Sequence, residues 1–360
     1  MDHTPYHHLA ARLDALPNGF PATEDGAEIR LLMKLYTPDE AALAAQLRMT
    51  KESPAEIAAR IGGDAHELRK TLKDMAKRGL IAVDRIAGGM GYGLLPFVVG
   101  IYEFQIDVLD AELAQLFEDY YTQAFGRATA VEPQFHRVIP VNESIAINME
   151  IHPHESAAEI VNQAQAWGVL DCICRKQKAL VGDPCEHPVE MCMVFSETPG
   201  VFDHSNVVRA LTRGEALDVL RAAAEAGLVH TSGNYREGLT YICNCCTCSC
   251  GILRGISEFG LANAVARSAF FAVVDVDACG GCETCTDACQ FDALALLDEG
   301  VMGVNRTRCV GCGVCTLVCP DDALSLSRRP EDEIKPVPAT HHDWDMARAA
   351  ARGLNLDEIL

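Results

Sequence analysis

The C-terminal third of the chain contains eight cysteines in two runs that have the same spacing. Each run reads C-x-x-C-x-x-C-x-x-x-C. The first run is Cys279, Cys282, Cys285 and Cys289, and the second is Cys309, Cys312, Cys315 and Cys319. Zinc motifs are usually built from spaced pairs of ligands, and disulfide scaffolds belong to short secreted chains. The pattern therefore favours iron–sulfur clusters over zinc and over disulfide bonds.

The spacing also predicts which cysteines share a cluster. Three thiolates on a tight loop can hold one face of a cubane, while the fourth points away and binds the neighbouring cluster. The two ligand sets are therefore expected to be crossed. One [4Fe-4S] cluster would take Cys279, Cys282, Cys285 and Cys319, and the other would take Cys309, Cys312, Cys315 and Cys289.

The two runs form an internal repeat, because CGGCETCTDACQFDALAL aligns with CVGCGVCTLVCPDDALSL thirty residues later. This segment resembles the bacterial two-cluster ferredoxin family, in which a strand precedes each run and a short helix follows it. The resemblance implies strands at residues 271–276 and 301–304. Pro320 follows the second run as in that family, but Gln290 takes the corresponding place after the first.

A second cysteine-rich region begins with four thiols inside twenty-one residues, which are Cys172, Cys174, Cys185 and Cys192. Four thiols are a full ligand set, so we expect a third [4Fe-4S] cluster here, with structural zinc as the alternative. Arg175 follows the first pair directly. Its guanidinium could donate hydrogen bonds to cluster sulfides or thiolates, although a surface salt bridge would explain it equally simply.

Five more cysteines lie within eight residues, between 243 and 250. Such a local density of thiols outside a disulfide compartment indicates metal binding. Cys243, Cys245, Cys248 and Cys250 could hold a fourth cluster, which would leave Cys246 over. A free Cys246 would be a candidate catalytic thiol for substrate or persulfide chemistry, or simply an unligated cysteine. Alternatively, this region and the Cys172 region share their ligands.

The N-terminal part has the order helix, turn, helix and glycine-tipped hairpin, with a capping box at residues 53–56 and a second helix cap at 64–67. This order resembles a winged helix-turn-helix domain. The second helix would expose four basic residues, which are Arg69, Lys70, Lys73 and Lys77. They permit contact with DNA, but a solvated basic face is the simpler explanation.

We therefore expect an α+β multidomain protein, because 360 residues exceed one ordinary core. The expected parts are a winged-helix-like domain (1–100), a cysteine-rich iron–sulfur domain (101–265), a two-cluster ferredoxin domain (266–328) and a C-terminal tail (329–360). The order of the C-x-C-R, C-x-x-P-x-E-x-C and C-N-C-C motifs before the ferredoxin-like end is similar to that of uncharacterised 4Fe-4S binding proteins of anaerobic bacteria.

The formal charge of −21 opposes binding to nucleic acid and favours a basic redox partner protein. The sequence has neither an apolar leader nor an apolar stretch of membrane-spanning length, so we expect a cytoplasmic protein without a membrane span. Nucleotide-binding glycine motifs are also missing. Two hypotheses follow: an electron-transfer protein that is a subunit or partner of an anaerobic oxidoreductase, or an iron–sulfur redox-sensing transcription regulator. The oligomeric state, and whether the chain is itself an enzyme, stay open.

Overall fold

A computed structural model describes residues 2–141, 144 and 149–356 of the chain. These residues divide into two compact units. The first contains residues 2–131, 180–182 and 345–356, and the second contains 132–179 and 183–344 within the described ranges. Within the described ranges, the expected ferredoxin domain lies in the second unit, as does the expected cysteine-rich domain apart from residues 101–131 and 180–182, which belong to the first. The expected domain boundaries stay predictions.

The first unit is mainly helical. Its elements are α1 (Thr4–Asp14), α2 (Ala27–Leu35), α3 (Pro38–Ala44), α4 (Pro54–Ile61), α5 (Ala65–Lys77), the hairpin β1 (Ala82–Ile86) and β2 (Gly89–Gly93), α6 (Ala111–Tyr120) and α7 (Gly126–Ala128). The capping box of α4 is confirmed, since Ser53 accepts from the N–H of Glu56 and the Glu56 carboxylate accepts from the N–H of Ser53. Asp64 caps α5. The winged-helix resemblance itself stays a prediction.

The second unit is built around a six-stranded antiparallel sheet. Its elements are β3 (His136–Val138), α8 (Ala157–Gln163), β4 (Ala166–Asp171), α9 (Ile173–Leu180), β5 (Glu190–Ser196), β6 (Arg209–Leu211), α10 (Arg213–Glu225), β7 (Val229–Gly233), β8 (Tyr241–Cys245) and α11 (Arg254–Phe259). The strand order is β3-β7-β8-β5-β4-β6. Apolar residues of α8 and α10 pack on this sheet and form its core.

The local sequence pattern predicts a helix over residues 155–167, ended by Gly168, and a hairpin turn at 232–234, and both predictions are wrong. The helix predicted over residues 155–167 ends at Gln163, because Trp167 and Gly168 pair with both neighbouring strands as part of β4. Gly168 fits this place because an added Cβ would lie 2.2 Å from the side chain of Val208. The hairpin turn predicted at 232–234 also lies further along the chain, since residues 232 and 233 extend β7 and pair with β3.

The eight cysteines of the two runs lie in a repeated strand and helix arrangement. Its elements are β9 (Phe270–Val274), α12 (Thr284–Ala288), β10 (Leu294–Leu296), β11 (Met302–Val304), α13 (Val314–Leu317) and β12 (Leu324–Arg328). β9 pairs with β12, and β10 pairs with β11. The predicted strand before each run is therefore present, but the prediction of a short helix after each run is wrong, because α12 and α13 lie inside the runs and a strand follows each run. The last helix within the described residues is α14 (His341–Ala351).

Within the described ranges, every helix is too short or too polar to cross a bilayer.

Candidate metal centres

Two cavities in the repeated segment are each lined by four cysteines. The outer cavity, of about 300 Å³, is lined by Cys279, Cys282, Cys285 and Cys319. The inner cavity, of about 360 Å³, is lined by Cys289, Cys309, Cys312 and Cys315. Each cavity takes three thiols from one run and the fourth from the other. The structure therefore brings together the crossed sets that the spacing predicts.

Backbone N–H groups donate to four of these thiols in two pairs related by the repeat. The donors, acceptors and N···S distances are Met302 to Cys279 (3.4 Å), Ala272 to Cys309 (3.4 Å), Ala293 to Cys289 (3.4 Å) and Ala323 to Cys319 (3.3 Å). Hydrogen bonds to ligand sulfur atoms stabilise the thiolate form and tune the potential of a bound cluster. Both cavities are therefore built in the same way for anionic sulfur.

Burial opposes the effect of these N–H groups, because it disfavours thiolates in the absence of a metal. It raises the pKa of Cys312 to about 12 and also raises the pKa of Cys315, and charge on the other thiols of the inner cavity adds to both shifts. Thiolates packed this closely need a cationic centre between them. The donor set, the cavity and the N–H groups all fit a [4Fe-4S] cluster, which supplies one-electron redox chemistry when bound.

Gln290, which follows Cys289 of the inner cavity, contacts the second cysteine-rich region. Its side-chain oxygen accepts from the N–H of Thr247 at 2.7 Å, and its side-chain nitrogen donates to the carbonyl of Gly227. Cys312, from the same cavity, packs with Val314 against apolar residues at 141 and 224. In the outer cavity, by contrast, Cys282 is exposed to solvent. The glutamine at the place of the missing proline thus has a specific structural role.

Six thiols of the second region form a closed ring, called here the thiol ring. In order around the ring they are Cys172, Cys174, Cys250, Cys245, Cys243 and Cys192, and each thiol shifts the pKa of the next. All six are buried or half-buried. A single [4Fe-4S] cluster takes four thiolates, so the ring holds two more donors than one cubane needs.

Three neighbouring strands and one turn build the thiol ring. Cys243 and Cys245 are two residues apart on β8, so their side chains lie on the same face. The pairing of β5 with β8, extended by one residue, places Cys192 opposite Cys243. Cys172 lies at the end of β4, where α9 begins, and a turn after β8 returns Cys250 to the other thiols. The sequence pattern predicts an extended loop over residues 243–250, but residues 243–245 are part of the sheet.

Hydrogen bonds within the ring favour two thiolates on opposite sides. Those from Cys174 and Cys192 lower the pKa of Cys172 well below its ordinary value, and those from Cys243 and Cys250 lower the pKa of Cys245 to about 6. The Thr231 hydroxyl also lies 3.4 Å from the sulfur of Cys245. A cationic centre that binds in the ring would displace the protons of the remaining thiols.

Arg175 lies beside the thiol ring and is only 2 % exposed. Its two terminal nitrogens donate to the carbonyls of Pro188 (3.1 Å) and Asn244 (2.7 Å), but its buried Nε has no partner among the described residues. Burial lowers the pKa of this guanidinium, but negative charge on Cys172, Cys246 and Cys245 outweighs burial and raises it. Arg175 therefore fits a buried countercharge for bound thiolates and not a surface salt bridge.

A chain of hydrogen bonds connects the buried side chain of His136 with the thiol ring. His136 lies between the hydroxyls of Thr231 (3.2 Å) and Tyr241 (3.0 Å), and the Thr231 hydroxyl is also within reach of Cys245. Burial lowers the pKa of His136 to about 4. The imidazole is therefore neutral at physiological pH.

The three remaining cysteines lie together with one histidine. The ligand atoms of Cys185, His187, Cys246 and Cys248 are all within 4.8 Å of one another, and this group is called here the quartet. Hydrogen bonds with Cys246 and Cys185 raise the pKa of His187. Burial opposes ionisation of Cys185, but hydrogen bonds from Ser249 and His187 outweigh it and lower the pKa of that thiol to about 7.

The nine thiols of this region thus divide differently from either set expected from the sequence. The structure places Cys185 and Cys248 in the quartet and not with the other members of their expected groups. Cys246, which the sequence leaves over, lies among three other possible metal ligands. Shared ligation between the two regions, the alternative expectation, stays a prediction, and the thiol ring takes members from both regions. His187 was missed, although its place two residues after Cys185 was a usable signal.

The family model described as a 4Fe-4S dicluster domain matches residues 272–326, which include all eight cysteines of the two cavities. No curated protein and no solved structure matches the chain. The protein is therefore an iron–sulfur protein with a C-terminal ferredoxin-like segment and at least one [4Fe-4S] cluster. The matched residues do not include the thiol ring, the quartet or the first compact unit.

Proposed function

We propose that this is a multi-cluster electron-transfer protein that passes single electrons from its ferredoxin-like segment to a third iron–sulfur centre in the thiol ring. The observation that carries the proposal is the Gln290 bridge, because it joins the residue after Cys289 to Thr247, inside the second cysteine-rich region. A simple electron carrier would have no need of such a connection to a second set of buried thiols.

The ferredoxin-like segment would hold two [4Fe-4S] clusters, one in each cavity and with the crossed ligands described above. The third [4Fe-4S] cluster would take four of the six ring thiols. Cys172 and Cys245 are the first choices as ligands because their thiolates are already stabilised. Arg175 would balance the negative charge of the bound thiolates, and burial of the ring would keep water away.

Electrons would enter at the outer cavity, where Cys282 is exposed. Exposed carboxylates flank the cysteines of this cavity in sequence, and they are Asp275, Asp277, Glu283, Asp287 and Asp321. Asp321 also lines the cavity itself. An acidic surface of this kind would attract a basic redox protein and accelerate its association at low ionic strength.

The ring would then deliver electrons to a partner oxidoreductase or to a small substrate. The two ring thiols beyond those of a cubane leave room for a larger cluster or for a thiol that reacts. The chain would thus be a subunit or partner of an oxidoreductase, with the substrate handled mainly by another polypeptide.

Iron analysis of the anaerobically purified full-length chain tests this proposal. We expect about twelve iron atoms per chain, from three cubanes, and about eight in Cys245→Ser with Cys172→Ser. The double variant should keep the dithionite-reducible signals of the ferredoxin-like segment. Eight irons in both proteins would overturn the third cluster.

A second candidate function is regulation of transcription. It is favoured by one observation, the exposed basic face of α5 formed by Arg69, Lys70, Lys73 and Lys77. The net charge of −21 opposes it, because DNA binding by a dimer needs several phosphate contacts. A shift of the protein's own promoter fragment at physiological salt, lost in Lys73→Glu with Lys77→Glu, would favour regulation over electron transfer alone.

A further inference from the structure

We propose that the quartet of Cys185, His187, Cys246 and Cys248 binds one Zn²⁺ ion in a closed structural site. This site would be separate from the cluster sites, and it goes beyond the proposed electron transfer. Its four donors are three sulfur atoms and one imidazole nitrogen, a set that structural zinc sites commonly use.

The spacing of the donors fits a single ion. A tetrahedral zinc site with Zn–S bonds of about 2.3 Å has sulfur–sulfur edges of about 3.8 Å. The sulfur atoms of Cys185 and Cys246 are 4.0 Å apart, and the sulfur of Cys248 is 3.9 Å from Nδ1 of His187. The terminal thiolates of a cubane lie outside a four-iron core and are therefore further apart. The quartet is too compact to surround such a core without rearrangement.

The quartet also differs from the thiol ring in its shape. All four of its ligand atoms lie within 4.8 Å of one another, which is the condition for converging on one point. The six ring thiols, each of which shifts the pKa of its two neighbours, do not form such a compact group within the described residues. The nine thiols thus provide one compact mononuclear site and one wider polynuclear site.

The choice of zinc follows from the donors. Nitrogen and sulfur donors generally bind Zn²⁺ more tightly than Fe²⁺. Four donors from the chain fill a tetrahedron, so no position is left for a catalytic water. The site should therefore stabilise structure and should not catalyse hydrolysis.

The position of the quartet in the fold shows what a bound ion would stabilise. Cys185 and His187 belong to the connection between α9 and β5, and Cys246 and Cys248 belong to the turn after β8. Both segments continue into ring thiols, at Cys192 and at Cys250. Cys246 also packs with Cys185 in a small apolar cluster. A zinc ion would fasten the two segments together and fix the spacing of the ring.

Metal analysis of the full-length protein, purified without added metal, is the first test. We expect about one zinc per chain in addition to the iron. X-ray absorption at the zinc edge should give three sulfur neighbours at about 2.3 Å and one nitrogen neighbour at about 2.0 Å. Absence of stoichiometric zinc, or iron in the same coordination, would overturn the proposal.

Paired variants separate this site from the clusters. Cys248→Ser should reduce zinc at least tenfold and leave most of the iron, while the ring variant Cys192→Ser should lower iron and keep zinc. Loss of iron with no change in zinc in Cys248→Ser would assign Cys248 to a cluster. Because a serine substitution can also impair folding, cobalt substitution of the unmodified chain is the second readout, with intense tetrahedral Co²⁺–thiolate absorption expected. A failed third cluster would change iron only, so the two proposals fail separately.

Discussion

Arg175 is the residue on which the redox properties of the thiol ring depend most directly. Its buried Nε has no partner in the described part of the chain, and its positive charge lies close to Cys172 and Cys245. Removal of this charge should make reduction of the ring centre less favourable, because reduction adds negative charge.

We predict that Arg175→Met lowers the midpoint potential of the ring centre by roughly 40–90 mV, the one-electron equivalent of about 1–2 kcal/mol for a charge-assisted hydrogen bond. A redox titration followed by electron paramagnetic resonance would measure the shift. Lys176→Met is the control, since Lys176 lies on the same helix and pairs with Asp171 instead. Equal potentials in Arg175→Met and the unmodified protein would contradict this role.

His136 should make the stability of the protein depend on pH. Its pKa is lowered to about 4 by burial, whereas in the unfolded chain it is about 6.5. The unfolded state therefore binds the proton first as the pH falls. Protonation of this group should lower the free energy of unfolding by about 1.4 kcal/mol per pH unit between pH 6.5 and 4.

Anaerobic urea unfolding of the protein and of His136→Gln would measure this pH dependence. The variant should show a shallower slope. Identical slopes would exclude His136 as the cause.

Gln290 joins two elements, the ferredoxin-like repeat and the turn after β8. Its two hydrogen bonds, to Thr247 and Gly227, should each contribute about 1 kcal/mol. We predict that Gln290→Ala destabilises this contact by about 1–2 kcal/mol and slows electron transfer to the ring.

Hydrogen exchange of the peptide 243–250 would detect the change as about tenfold faster exchange at the Thr247 amide. Gln115→Ala is a suitable control, because in the described part of the chain Gln115 donates to Asp119 on its own helix. Unchanged exchange in Gln290→Ala would show that the contact contributes little.

The elements also show how far the sequence could predict the sites. The two cavities follow from local spacing, because each loop carries three of its own ligands and the repeat supplies the fourth. The thiol ring could not be predicted in this way. It depends on β4, β5 and β8 lying side by side, and the sequence separates Cys192 from Cys243 by fifty residues. The same dependence on long-range pairing explains why Cys185 lies in the quartet and not with Cys172, Cys174 and Cys192.

The helices and strands show the same difference between features set by neighbouring residues and features set by distant ones. Ser53 and Asp64 cap their helices as predicted, because a cap needs only a few neighbouring residues. Trp167 was assigned to a helix and lies in a strand, because its partners on β5 and β6 are distant in sequence. Long-range pairing overrode the helical pattern there.

In a molecule of net charge −21, the exposed carboxylates at the outer cavity should determine how fast it meets its redox partner. We predict that Asp277→Asn with Asp321→Asn slows reduction by a basic one-electron donor several-fold at low ionic strength, with little difference at high salt. Stopped-flow kinetics would measure the rates. Removal of two exposed charges from α10, at Asp218 and Glu225, is the matched control. Equal slowing by both pairs would show that net charge, and not the outer cavity, directs the encounter.

The most direct test of the whole account is to follow one electron through the molecule. The oxidised protein would be mixed anaerobically with less than one equivalent of reductant, and samples would be frozen at intervals for electron paramagnetic resonance. We predict that the signals of the ferredoxin-like segment appear first and decay at the rate at which a third signal, absent from the Cys172→Ser and Cys245→Ser double variant, grows. A ferredoxin signal that persists while no third signal develops would contradict electron transfer to the thiol ring.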